Sequence, residues 1–375
     1  MYMKILYLHN IPACSEYANS IQVKSMCKAM ASLGHEVILS APAASSIDAG
    51  KKQECDGYSI VFRDTLKSKY SKYFSGKGIS RVVENLNPDL IYLRTPLLLK
   101  QIPKDGVPVV MEIHNNRMHL GSRLLDRYWT KYIVRSAKKG FMRKIVCISD
   151  ALTKYWIEQG ISCSLVETHH DGFDDTLYSI NASTETVRDK LGLPTDRVVV
   201  SYIGRLYENR GIDSVLRLAA DYPHLQFVIV GGPNDQAVFY KQESKRQGIE
   251  NIVFTGQVAH EATALYQQAS DILLALWTKD VPTINYCSPL KVFEYMASGR
   301  TIVAHGFPTI KEVLTDDVNA ILVEPDTYSN LKQGLDRALS QNDKSRLGNN
   351  AREDAFTHYT WRIRAENILM GVEKE

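Results

Sequence analysis

The run from Ser288 to Gly299, Ser-Pro-Leu-Lys-Val-Phe-Glu-Tyr-Met-Ala-Ser-Gly, has residue types at a spacing that could hold a phosphorylated ligand. Ser288 suits a helix N-cap, Pro289 the first helical position and Gly299 the residue just past the end, which predicts a short helix. The start of such a helix has unpaired N–H groups and a partial positive charge. Lys291 adds a full cation in the first turn, against the helix dipole. A bound anion such as a diphosphate would resolve that conflict. Glu294, one turn on, suits two hydrogen bonds to a vicinal diol. A second cation pair lies upstream. Gly204-Arg205-Leu206 follows the apolar run ending at Ile203, and Arg210-Gly211 opens the next helix. Guanidinium groups take phosphate oxygens in a bidentate fork. The plain alternative is a surface helix with a snorkelling Lys291 and a solvated Glu294, one arginine paired to Glu208 and the other solvated.

These residues need elements to position them. Short apolar runs alternate with amphipathic stretches: Lys4–His9, a helix over roughly 20–33, then Glu36–Ser40, Leu90–Leu93, Val107–Ile113 and Ile145–Ile148. The same grammar restarts with Arg197–Ile203, Gln226–Val230, Ile252–Thr255, Asp271–Leu276 and Thr301–Ala304. Buried strands alternating with helices signal a parallel sheet covered on both faces. Two such series predict an α/β protein of two Rossmann-like, doubly wound domains: 1–175, a linker over 176–196, 197–355, and a C-terminal helix in 356–375 packing back toward the first domain. Ligands of open parallel sheets bind beyond the carboxyl ends of the strands, so two domains facing a central cleft would place the chemistry in loops of both halves.

The 375-residue length agrees with two domains. Six scattered cysteines with no C-x-x-C pair argue against a zinc ribbon or redox pair. No G-x-G-x-x-G, G-x-x-x-x-G-K-[ST] or G-x-S-x-G occurs, and no two aspartates fall two apart to hold a metal on a diphosphate. No apolar run approaches the roughly 18–20 residues of a membrane span, so a soluble, cytoplasmic protein is expected. The net charge of +3 hides an asymmetry. Residues 1–170 hold 24 basic and 14 acidic side chains, whereas residues 171–375 hold 21 and 28.

S-P-L-K-V-F-E-Y-M-A-S-G, with Y-I-G-R-L-x-x-x-R-G upstream, resembles the C-terminal half of the family-4 retaining glycosyltransferases of the GT-B fold (glycosyl transferases group 1). Weaker likenesses follow in the family's order: Leu33–Val37, Met111-Glu-Ile-His-Asn115, Cys147-Ile-Ser-Asp150, Asp171-Gly-Phe-Asp174, Glu312-Val-Leu and Ile321-Leu-Val-Glu-Pro. The resemblance implies that Arg205 and Arg210 hold a donor diphosphate beside Gly204. Lys291 and the helix start at Ser288, Pro289 and Leu290 would add phosphate contacts, and Glu294 would take the ribose. His114 matches the histidine facing the donor sugar; the plain alternative is a buried, hydrogen-bonded histidine. Two departures stand out. Tyr286 replaces the first glutamate of the family's E-x7-E, which marks a subgroup with an S-P-x-K-x-x-E helix start. The loop after the first strand lacks glycines and offers Asn10, Ser15, Asn19 and Ser20 for acceptor or phosphate.

The reaction so implied is metal-independent transfer of a sugar from a nucleoside-diphosphate sugar, UDP ranked ahead of GDP, to a glycan or lipid-linked acceptor. Anomeric configuration is retained, the setting is cell-surface polysaccharide or glycoconjugate assembly, and the donor is a co-substrate, with no cofactor. The cations would stabilise charge growing on the departing diphosphate. An epimerase sharing the fold and a non-catalytic nucleotide-sugar-binding subunit are the alternatives. Between Arg117 and Lys144 lie nine basic residues and one acidic, with Arg123, Arg127, Lys131 and Arg135 on one helical stripe beside Leu124, Leu125, Tyr128, Trp129, Tyr132 and Ile133. A second cluster joins Lys67, Lys69, Lys72, Lys77 and Arg81 to Tyr70, Tyr73 and Phe74. Docking on an anionic membrane at its inner face and a solvated face beside a core stripe are both open readings. Nucleic acid is not expected, since no binding module accompanies the charge.

Overall fold

The structure is a computed structural model that describes residues 2–10, 18–43, 50–63, 78–103, 106–117, 122–179, 182–325, 327–343 and 345–372. Ser15 and the lysine–aromatic cluster at 67–77 lie outside the described residues. The chain divides into two compact units, Met1–Asp171 with Trp361–Glu375, and Gly172–Thr360.

The first unit contains strands β1 (Lys4–Leu8), β2 (Glu36–Pro42), β3 (Lys52–Glu54), β4 (Ser59–Arg63), β5 (Leu90–Leu93), β6 (Val109–Ile113), β7 (Met142–Cys147) and β8 (Val166–Thr168). They form one sheet in the order β3-β4-β2-β1-β5-β6-β7-β8, parallel throughout except for the antiparallel β3–β4 pair. Helices α1 (Ala18–Ser32), α2 (Ile79–Leu86), α3 (Arg123–Ala137) and α4 (Asp150–Glu158) accompany it. Every residue of β5 and β6 is buried, as expected where helices cover both faces. One of them is Glu112, a carboxylate inside an otherwise apolar strand. The strand series expected from the sequence lacks β3, β4 and β8. β3 is a polar, fully exposed edge and β8 has only three residues, so neither contains the apolar run by which parallel strands announce themselves.

The second unit is a six-stranded, all-parallel sheet in the order β11-β10-β9-β12-β13-β14. Its strands are β9 (Val199–Ile203), β10 (Gln226–Val230), β11 (Ile252–Gly256), β12 (Ile272–Ala275), β13 (Thr301–His305) and β14 (Ile321–Val323). The helices are α5 (Thr184–Leu191), α6 (Ile212–Asp221), α7 (Asn234–Arg246), α8 (His260–Ala269), α9 (Leu290–Ser298), α10 (Tyr328–Leu339) and α11 (Arg346–His358). Alternate residues of β9 serve opposite cores. Val199 and Ile203 pack with α8 and α9, while Val200 and Tyr202 pack with α6 and α10. Residues 176–196, read from sequence as a linker, contain α5 and fall within this unit.

The last helix, α12 (Trp361–Leu369), belongs to the first unit and packs on α1. Its Trp361, Ala365, Ile368 and Leu369 are buried, and so is the charged Arg364 between them.

Candidate functional site

In both sheets the strand order reverses direction once, at β1/β5 in the first unit and at β9/β12 in the second. Ligands of open α/β sheets bind at such switch points, outside the carboxyl ends of the strands. Polar residues concentrate there in both units.

In the second unit, β9 ends at Ile203 and the chain turns through Gly204, whose φ of 148° suits glycine. A Cβ at Gly204 would lie 2.9 Å from Lys291 Nζ, and one at Gly231 would lie 2.0 Å from the Gly204 carbonyl oxygen. Two glycines therefore let the ends of β9 and β10 and the Lys291 side chain crowd together. Arg205 extends outward, exposed, while Tyr202 Oη donates to the Arg205 carbonyl at 2.8 Å. Arg210 closes a 3-10 turn ahead of Gly211 and α6, and its buried Nε has no hydrogen-bond partner. A cavity of about 700 Å³ adjoins it, lined by Glu208, Gln236, Thr278, Asp280 and Thr283 among others.

Helix α9 starts at Leu290, with Pro289 at the cap position in an extended conformation and no side-chain cap. This corrects the expected Ser288 cap by one residue: Pro289 has ψ 119°, so it cannot begin the helical turn. Ser288 is buried just before it, and Tyr286, half-buried, precedes that. Gly299 ends the helix in the left-handed conformation, as expected of a C-terminal glycine. Lys291 Nζ is buried without a hydrogen-bond partner, 4.3 Å from the centre of the Tyr202 ring and 5.0 Å from that of Trp277. Burial, and then Arg210, push its ammonium down to about 7 against the opposing pull of Glu294. Glu294 has a partner that the sequence did not reveal: His260 Nε2, at the start of α8, lies 2.8 Å from Glu294 Oε1. That bond raises the His260 pKa against burial.

In the first unit, His114 stands just past the end of β6 and is 16% exposed. Its Nε2 forms a short hydrogen bond with Glu112 Oε1. Glu112 is fully buried, and it also accepts from Gln22 Nε2 at 2.8 Å, Arg364 Nη1 at 3.1 Å and the Tyr92 hydroxyl. Gln22 is a hub: it donates to Asp171 Oδ1 at 2.7 Å and accepts from Arg94 Nε at 2.6 Å. Burial opposes ionisation of Glu112, yet Arg364, and then His114, hold its carboxyl well below the usual range. Burial lowers His114 to about 4, helped by Arg94, and raises Asp171 to about 7 despite Arg364. Asn10 Oδ1 accepts from Thr95 Oγ1 at 3.0 Å, Asn19 Oδ1 is buried and unpartnered, and Ser20 is buried. The adjacent His169, His170 and Asp171 diverge to Glu167, the Ile148 carbonyl and Gln22.

The second unit thus gathers Gly204, Arg210, Lys291 and Glu294 near one strand end, and the first unit gathers His114 with Glu112, Gln22, Arg94 and Arg364. Gln22, Arg94, His260 and Arg364 were missed from sequence. Only Glu112 had a visible signal, a lone carboxylate within an apolar strand.

The geometry agrees with the comparisons to known proteins. A family model described as Glycosyl transferases group 1 matches residues 183–354, and one described as Glycosyltransferase Family 4 matches residues 20–177. The chain is 22% identical to the lipopolysaccharide 1,2-N-acetylglucosaminetransferase of Salmonella typhimurium over 86% of this chain and 83% of that one. It is 24% identical to an uncharacterized glycosyltransferase of Methanocaldococcus jannaschii, an alignment that spans about half of either chain, 53% of each. The crystal structure of Anabaena HepE in complex with UDP-glucose superposes with a TM-score of 0.72 at 19% identity, covering 98% of both chains. The two family models together span most of the chain, which belongs to the glycosyltransferases of the GT-B fold.

Proposed function

We propose that the protein transfers a sugar from a nucleoside-diphosphate sugar to a glycan or lipid-linked acceptor, with retention of anomeric configuration and without a metal. The observation that carries this reading is the set of cations at the end of β9 and the start of α9. Lys291 Nζ and Arg210 Nε are buried and lack partners, and Arg205 reaches out beside them. An unpaired buried cation is costly, and a diphosphate supplies the compensating charge. When the anomeric C–O bond breaks, negative charge grows on the departing diphosphate, and these cations with the α9 N-terminus would stabilise it. They supply the charge that a bound cation would otherwise bring. Retention rests on the family resemblance. A UDP-sugar donor is favoured by the same resemblance and by the UDP-glucose bound to Anabaena HepE. Arg205→Ala is expected to lower transfer about 10²–10³-fold, the loss typical of removing one group that stabilises transition-state charge. Near-normal transfer by a folded Arg205→Ala variant would sink the assignment.

The acceptor reading includes assembly of cell-surface glycoconjugates at the inner face of a membrane. No helix among the described residues is long and apolar enough to cross one. The support comes from α3. Trp129 and Ile133 enter the core, whereas Leu124, Leu125 and Tyr128 are 81%, 46% and 48% exposed beside the exposed Arg123, Arg127 and Lys131. An apolar edge flanked by cations suits an anionic bilayer surface. The Salmonella relative, named for lipopolysaccharide, fits the same setting. Vesicles of anionic lipid should sediment the protein in a salt-sensitive way that Leu124→Asp abolishes; binding unaffected by this change removes α3 from the role.

A further inference from the structure

The buried cluster around Glu112 fixes more than the position of His114. A carboxylate has about four lone-pair sites, two on each oxygen. In Glu112 all four are taken. Oε1 faces Gln22 Nε2 and His114 Nε2, and Oε2 faces the Tyr92 hydroxyl and Arg364 Nη1. An ionised carboxylate only accepts, so each of these four partners donates. Gln22 Nε2 also lies 3.4 Å from His114 Nε2, but its two amide hydrogens go to Glu112 at 2.8 Å and Asp171 at 2.7 Å, which leaves none for the imidazole. The proton of a neutral His114 therefore resides on Nε2. Nδ1 then has a lone pair, and among the described residues it has no partner.

The guanidinium of Arg364 makes this arrangement possible. It comes from α12, 252 residues away in sequence from Glu112, and its side chain is 2% exposed. Every arm is engaged: Nε donates to the His170 carbonyl at 2.7 Å, Nη2 to the His169 carbonyl at 3.3 Å, and Nη1 to Glu112 and the Met26 sulfur. A fully buried carboxylate without such a counter-charge would take up a proton instead.

We propose that Arg364, acting through Glu112, is a positioning residue that holds His114 as the neutral Nε2–H tautomer, so that Nδ1 accepts a hydrogen bond from a substrate hydroxyl. The charges facing the imidazole agree. Arg94 after β5 and Arg364 on α12 are cations, Glu112 on β6 is the anion, and the Asp171 carboxyl is raised to about 7 by burial. His9, after β1, is buried, and burial, and then Arg94, lower it to about 3. A proton on His114 would face two guanidinium groups and one fully engaged carboxylate, consistent with its lowered pKa. The inference rests on the glycosyltransferase reading only for the identity of the hydroxyl. It assigns His114 the part of acceptor and not of acid.

Nitrogen-15 NMR of the full-length labelled protein tests it, with the His114 signals assigned by their loss in His114→Gln. The expected result is a neutral ring protonated on Nε2 from about pH 5.5 to 8. An Nδ1–H tautomer or an imidazolium at pH 7 overturns the proposal. Arg364→Met should raise the His114 midpoint by about one unit or, where Glu112 takes up the proton, move His114 to the Nδ1–H form. The acid limb of kcat/KM should shift with it, and Arg364→Lys should restore both. A folded Arg364→Met protein with wild-type His114 signals would show that Arg364 is structural only. Should that variant not fold, Tyr92→Phe, which removes one donor from Glu112, should disturb the same signals, and unchanged signals there also overturn the proposal. A wild-type protein with the Nε2–H ring and no transferase activity would refute the functional reading and leave the tautomer assignment standing.

Discussion

Lys291 and Arg364 are both buried cations, and their surroundings are opposite. Lys291 Nζ has aromatic rings and a glycine around it and no acceptor. Arg364 has two carbonyls, a carboxylate and a sulfur, which take four of its five N–H groups, and its Nη2 lies 3.9 Å from Asp171 Oδ1. The second unit thus leaves a buried cation without a counter-charge, whereas the first unit pairs its buried cation with the carboxylate that meets His114. On the proposed reading, the unpaired cation is where the donor diphosphate binds, and the paired one holds His114 in place.

Truncating both cations gives the sharpest test of that contrast. Arg364→Met leaves Glu112 buried without its partner, and removing one member of a buried pair typically costs about 3–5 kcal/mol. Lys291→Met removes a cation that has no partner to strand, so it should leave the ligand-free protein as stable or more stable. Urea denaturation of the two variants reads both effects. A loss from Lys291→Met as large as that from Arg364→Met would erase the distinction.

A smaller effect follows from pH. In the folded, ligand-free protein the Lys291 ammonium is pushed down to about 7, from an ordinary value of 10.5. Between those values the unfolded chain holds more protons, so this group makes the folded state more stable as pH rises from about 7 to about 10.5. Below about 7 both states are protonated and the penalty is constant. A bound diphosphate favours the ammonium and should flatten the slope. The difference in Tm between wild type and Lys291→Met, followed across that window with and without UDP, isolates the contribution from other titrating groups. Parallel curves would mean that Lys291 feels no such burial.

The same contrast explains what could be read from the sequence. Ser288–Gly299 and Gly204–Arg210 are local signals: a cation and a carboxylate one turn apart on a short helix, and an arginine immediately after an apolar strand. Periodicity and turn residues suffice for these, and they gave the cation set and the two parallel sheets. The short edge strands β3 and β8 escaped because three residues leave no period. The partners of the functional groups escaped for another reason. Arg364 meets Glu112 across 252 residues, Gln22 meets it across 90, and His260 meets Glu294 across 34. Such contacts are products of topology, and no local pattern encodes them. Ser288 shows the reverse error, a good local cap signal overruled by the extended backbone of Pro289.

His260 offers the finest probe of the second unit, because it is hydrogen-bonded to Glu294, the carboxylate one turn on from Lys291. Its Nε2 holds Glu294 Oε1 at 2.8 Å, with side chains 31% and 14% exposed. On the proposed reading Oε2 then remains for the ribose, and the bond to His260 restrains the carboxylate. Protonated His260 strengthens the hold. Its pKa is raised first by Glu294, so that contribution is complete below the ordinary value of 6.5 and is lost as pH rises through the raised one. His260→Leu should weaken UDP binding by about 3–10-fold, the worth of one hydrogen bond of about 1 kcal/mol. His260→Gln, which retains a donor, should lose less. The decisive comparison is with 2′,3′-dideoxy-UDP: without the diol, wild type and His260→Leu should bind it equally. If the fold difference persists for that nucleotide, Glu294 grips something other than the ribose, and His260 belongs to the fold of α8 and not to the donor site.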